Sequence, residues 1–117
     1  MDAQNLSIYT FQEKKIRMLL NDKQEPLFCL ADVCKILELT NSRQVTTQIK
    51  EEFELRNLNL HSFDTGYGIK DFTMITEPQL YFVMMRSRAK IARAFRQWIC
   101  NEVLPAIHKH GFYSVNK

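Results

Sequence analysis

Residues 14–37 read KKIRMLLNDKQEPLFCLADVCKIL, and the hydrophobic period changes inside them. Ile16, Met18 and Leu20 alternate with Arg17 and Leu19, which is the period of two that a strand requires. NDKQEP then supplies turn residues, with Pro26 unable to donate to a ladder at its own position. LFCL restarts the apolar run, so 14–20 and 27–30 read as a β-hairpin. Immediately afterwards Val33, Ile36 and Leu37 recur at i, i+3 and i+4, and Asp32 sits where a first-turn carboxylate favours the helix dipole. A short helix is predicted over 31–38.

Working outward, TNSR at 40–43 breaks the pattern, and Asn41 or Ser42 can cap a second helix over 43–50. Its buried stripe is narrow, since Val45 and Ile49 alone are clearly apolar there. Residues 53–61 and 69–75 read as two strands around the DTGYG turn. Thr76 is a candidate N-cap with Pro78 just inside the start, and the pattern is helical from there on. The expected class is α+β: a small single domain with an N-terminal β-hairpin, short helices, a second β-hairpin and a C-terminal amphipathic helix.

A chain of 117 residues is one domain's worth of core, able to bury roughly two-thirds of its unfolded surface. Neither linker nor repeat divides it, so residues 1–117 are expected to form one domain, either standing alone or beginning a longer protein. Cys29, Cys34 and Cys100 give no even framework and no paired C-x-x-C, so neither disulfides nor a zinc site is expected. No stretch approaches the roughly 20 apolar residues of a membrane span, and reduced thiols point to the cytoplasm. No cofactor and no metal are expected. Lys plus Arg minus Asp plus Glu is 9 − 12 = −3 over residues 1–78 and 7 − 1 = +6 over 79–117. The field able to act on a polyanion therefore belongs to the C-terminal end.

That end contains RSRAKIARAFRQWICNEVL at 86–104. Taken as one helix at 100° per residue, it places Ile91, Phe95, Trp98, Ile99 and Val103 on one side. Arg86, Lys90, Arg93, Arg96 and Gln97 fall on the other. A merely solvated face mixes charge signs, because Glu to Lys pairs at i, i+4 support a helix. Residues 86–101 contain no acidic residue, which favours binding of a polyanion.

The residues 77–113, EPQLYFVMMRSRAKIARAFRQWICNEVLPAIHKHGFY, resemble the end of the Bro-N domain of baculovirus BRO proteins and bacteriophage antirepressors. Glu77, Pro78, Leu80, Tyr81, Arg86, Ser87, Ala94, Phe95, Trp98, Glu102, Val103, Leu104, Pro105, Ile107, Gly111 and Tyr113 carry the match. Upstream, PLFCLADVCKILELTNSRQV is similar through Phe28, Asp32, Val33, Cys34, Leu37, Leu39 and Asn41. Gln79 and Glu38 stand where the family pattern has glycine, and the second replacement predicts that the helix after 31 ends one residue later than in relatives. Residues 51–72 match least.

The resemblance implies a small α+β module that binds DNA in viral or prophage regulators, in a bacterium or an infected host cell, the nucleus included for a eukaryotic virus. Antirepressors counter a repressor, so a repressor protein and a second copy of the chain are expected partners beside double-stranded DNA. The candidate DNA contacts are of two kinds. Arg86, Arg88, Lys90, Arg93 and Arg96 form the basic stretch. Arg43, Gln44, Thr46, Thr47 and Lys50 lie on the second of two helices joined by LTNS, which resembles a helix-turn-helix whose Arg and Gln can make bidentate base contacts; a plain polar surface helix reads the same way. The alternative is a protein-interaction module with Phe82, Met84, Met85 and Tyr113 as contacts. His108 and His110 form H-x-H without a carboxylate or thiol partner, a weak metal signal. G-Y-G at 66–68 is a hairpin turn and not a phosphate loop. No catalytic constellation can be assembled from spacing, and the chain reads as a non-enzyme.

Overall fold

The computed structural model describes residues 6–107. His108, His110, Gly111 and Tyr113, singled out above, lie outside the described residues. Five strands form one antiparallel sheet in the order β1-β2-β3-β5-β4, with β1 at Ser7–Phe11, β2 at Lys14–Leu20, β3 at Pro26–Cys29, β4 at Asn59–Asp64 and β5 at Ile69–Thr76. The helices are α1 (Leu30–Ile36), α2 (Ser42–Glu52), α3 (Glu77–Arg86) and α4 (Ile91–Trp98), the last running through a π-helical segment (Ile99–Val103) into α5 (Leu104–Ile107).

The period-two reading of 14–20 holds because it sorts the two sheet faces. Ile16, Met18, Phe28 and Ile75 pack under the helices with Val33, Leu80, Val83, Phe95 and Ile99. Leu19, Leu27, Cys29, Phe63 and Met74 form a smaller cluster on the opposite face. Phe95 is wholly buried and meets Phe11 edge-on at 5.4 Å; truncating it to Ala costs roughly 3–5 kcal/mol.

Strand β1 has no counterpart in the sequence reading. It pairs with β2 through a two-residue turn in which Gln12 (φ 48) and Glu13 (φ 70) both adopt left-handed conformations. That geometry ordinarily selects Asn-Gly, so the usual signal is missing. Residues 53–58 are likewise not strand. α2 runs on to Glu52, Leu55 N–H reaches the Lys50 carbonyl at 2.9 Å, and Glu54 takes φ 54. This is a Schellman ending with glutamate in the glycine position, and β4 begins only at Asn59. α1 ends the same way. Leu39 N–H donates to Cys34 O at 2.9 Å while Glu38 takes φ 59. The glutamate therefore does not extend the helix; it adopts the conformation that glycine would.

At the end of β5, Thr76 accepts from Gln79 N–H and Gln79 Oε1 accepts from Thr76 N–H at 2.9 Å, a reciprocal capping box with Pro78 inside it. Further on, Pro105 has no N–H to offer and its ring crowds the carbonyl four residues back. The helix widens just before it, where Leu104 N–H bonds to Ile99 O, five residues away.

Candidate functional site

The basic stretch is not one helix face. α3 stops at Arg86, Ser87 is extended (φ −81, ψ 135), and α4 starts at Ile91. The Ser87 hydroxyl causes the break locally by offering the backbone another partner. It donates to Leu37 O at 2.9 Å and accepts from Ala89 N–H at 3.2 Å. Arg86 is thereby held against the α1–α2 turn and Arg88 follows beside Phe82 and Met85, whereas Arg93 and Arg96 ride on α4, which packs on α1 and, through Phe95 and Trp98, on Phe11 of β1. Lys90 is exposed just before α4. The single arginine face expected from the helical wheel thus divides into two groups.

The first group is joined by α2. Arg86 shares a depression of about 330 Å3 with Glu38 of the α1–α2 turn and with Asn41, Gln44 and Gln48 along the first part of α2. Arg86 and Arg88 also flank Phe82 and Met85. The Arg86 guanidinium lies 5.3 Å from the Phe82 ring centre, and Phe82 in turn meets Phe53, just past α2, edge-on at 5.9 Å. One aromatic ring, itself packed on a second, thus braces Arg86.

α2 is built to be read from outside. Asn41 Oδ1 accepts from Gln44 N–H at 3.0 Å and caps it, and Val45 and Ile49 are its buried residues. Arg43, Gln44 and Thr47 are exposed, while Thr46 and Lys50 are half-buried. Thr47 Oγ1 donates to Arg43 O at 3.2 Å, so its hydroxyl is partly engaged by the helix. Lys50 sits in the last turn beside Glu51 and Glu52, away from the Arg86 depression. The turn between α1 and α2 has five residues, 37–41, slightly longer than the three or four of a helix-turn-helix.

Of the candidate protein contacts, Met84 is core at 1% exposure and Phe82 is half-buried against Phe53, leaving Met85 exposed. Met84 faces inward because it follows Leu80 by one helical turn, a register the sequence reading did not use. The sequence reading also passed over Gln48 and Ser87 as site residues; Ser87 was visible in the family pattern, but nothing in its spacing told of Leu37. Among the described residues no group of three or more His, Cys, Asp or Glu converges to hold a metal, and no helix is long and apolar enough to cross a membrane.

The chain is 34% identical over 109 residues to an uncharacterized protein of Haemophilus influenzae, covering 93% of this chain and 53% of that protein. Protein 289L of Invertebrate iridescent virus 6, named for its Bro-N domain, is 28% identical over 99% of this chain and 32% of its own length. Protein 201R of the same virus, similarly named, is 30% identical over 80% of this chain and 26% of its own length. The chain therefore spans about half the length or less of these relatives. No solved structure matches. The model of the BRO family N-terminal domain matches residues 15–105, from β2 into α5, and the chain belongs to that family.

Proposed function

We propose that the chain is a regulatory module that binds double-stranded DNA with the exposed start of α2 and the arginines that Ser87 pins beside it. The observation that carries this reading is the depression shared by Arg86, Asn41, Gln44 and Gln48. Helix starts favour anions because their N–H groups and dipole point outward. Arg86 and Arg88 then serve as phosphate clamps on one flank. Arg43 and Gln44, exposed on the first turn of α2, are of the types that pair bidentately with guanine and adenine edges. Thr47 and Lys50 have secondary roles, since one hydroxyl is engaged and one side chain is half-buried beside acids. Lys90, Arg93 and Arg96 add to the field that steers a polyanion. In a viral or prophage setting this module supplies DNA attachment, and control of a repressor is the regulatory output that the family suggests.

Fluorescence anisotropy with random-sequence duplex tests it. With four to six phosphates neutralised, log K falls against log salt with a slope of about −4 to −5. Arg86→Glu with Arg88→Glu abolishes binding while leaving the far-ultraviolet spectrum unchanged. Absence of binding to any duplex at low salt overturns the proposal.

A further inference from the structure

The sheet consists of two hairpin arms joined by one short strand. β2 and β5 both run antiparallel to β3, so they share a direction, and their first halves extend past Cys29 on the same side. Lys14–Arg17 pair with β1 alone, and Ile69–Thr73 pair with β4 alone. Each arm therefore presents one backbone edge without a strand neighbour. The Arg17 amide on that edge is taken by the Asp32 carboxylate at 2.9 Å.

Between the arms lies an open cleft of about 690 Å3, within the range of about 300–1,000 Å3 typical of ligand sites. Leu6 and Ile8 line one wall and Phe63 the other, with Lys14, Lys15 and Lys35 around them. Arg17 also lines it, and its guanidinium is fixed from three directions. Nε and Nη2 donate to Asp32 at 2.9 and 2.8 Å, and Cζ stands 4.3 Å over the Phe72 ring, itself stacked on Phe63 at 5.3 Å. Those bonds leave Nη1 unengaged by Asp32. The acids of the cleft are Glu13, Asp32 and Asp64. Asp32 is engaged by Arg17, and Asp64 accepts from Gly66 N–H. Asp64 keeps its charge, so the four basic side chains of the cleft, Arg17 and the three lysines, exceed its three acids by one.

We propose that this cleft binds an extended, acidic peptide segment of a partner protein. The segment pairs its backbone with the β2 edge at Lys14 and Lys15, sets apolar side chains against the exposed Leu6 and Ile8, and directs a carboxylate to Arg17. Strand addition supplies affinity through main-chain bonds, and alternate side chains supply specificity. The cleft is a different surface from the α2 and Arg86 site and does not depend on it.

The test titrates isotopically labelled chain with three end-blocked peptides: one alternating valine with aspartate, one alternating valine with lysine, and the first with proline at every second position. The aspartate peptide binds with Kd below ~1 mM, moving the amides of Lys14–Arg17. Lys15→Glu with Lys35→Glu, both exposed positions, weakens it at least tenfold while the remaining amide resonances stay in place. The proline peptide, lacking every second N–H donor, does not bind. No shifts with the aspartate peptide, equal binding of the lysine or proline peptide, or shifts confined to α2 overturns the proposal. So does displacement of the peptide by duplex DNA, which would make the cleft part of a nucleic-acid surface.

Discussion

The Ser87 hydroxyl donates to the Leu37 carbonyl at 2.9 Å across fifty residues of sequence, tying the end of α3 to the α1–α2 turn. It is a small interaction with leverage, because Arg86 and Arg88 flank it on the chain. Replacing Ser87 by Ala leaves a part-buried carbonyl without its partner, a cost of about 1–2 kcal/mol. Urea unfolding should report that loss, and duplex affinity should fall further than stability alone explains. Unchanged affinity for DNA would show that the arginines need no positioning.

The division of the basic stretch gives the second expectation. Arg86→Gln with Arg88→Gln should flatten the salt dependence by about two, since each phosphate left without its arginine lowers the slope by close to one. Arg93→Gln with Arg96→Gln, on α4, should lower affinity through the general field with a smaller change of slope. Arg43→Ala should relax sequence preference. If it weakens all duplexes equally, α2 positions the protein without reading bases.

Glu38 offers a third. It occupies the left-handed position after α1 with φ 59, where a side chain carries a strain of about 1–3 kcal/mol that glycine avoids. Glycine loses more backbone freedom on folding, by roughly 0.5–1 kcal/mol. Glu38→Gly should therefore stabilise the chain by about 1 kcal/mol, raising the urea midpoint without changing the slope. Glu38 also lines the depression beside Arg86, so removing its carboxylate should tighten DNA binding. A destabilised variant would mean that the carboxylate has a favourable role in the turn.

The same residues explain what was legible in the sequence. Hydrophobic period and caps located β2, β3, α1, α2, β5 and the start of α3, since Asn41, Thr76 and Pro78 act there through local chemistry. The hidden features all depend on unusual turn residues or on distant partners. Gln12, Glu13, Gln24, Glu38 and Glu54 hold positive φ where Gly or Asn is the readable choice, which concealed β1 and turned 53–58 into an apparent strand. The candidate arginines could be named individually. Their grouping could not, because Ser87 finds Leu37 only once the sheet has brought α1 and α3 together.

Thiol chemistry supplies a prediction about the core. Burial pushes the Cys34 thiol from its ordinary 9.0 up to about 11, with Cys29 adding to it, and burial raises Cys29 as well. A thiol whose folded pKa is raised favours the folded state fully below the unfolded value, and that contribution is lost as pH climbs through the folded one. Stability should thus decline between about pH 9 and pH 11, with half-buried Tyr9 and Tyr81, also raised by desolvation, contributing in the same direction. Access follows the same geometry: Cys29 and Cys34 are 0% and 4% exposed and Cys100 is on the surface. Iodoacetamide at pH 8 should modify Cys100 in the native chain and reach the other two only on unfolding. Equal labelling of all three without denaturant would mean that the region around β3 and α1 opens readily, and the Arg17–Asp32 ion pair with it.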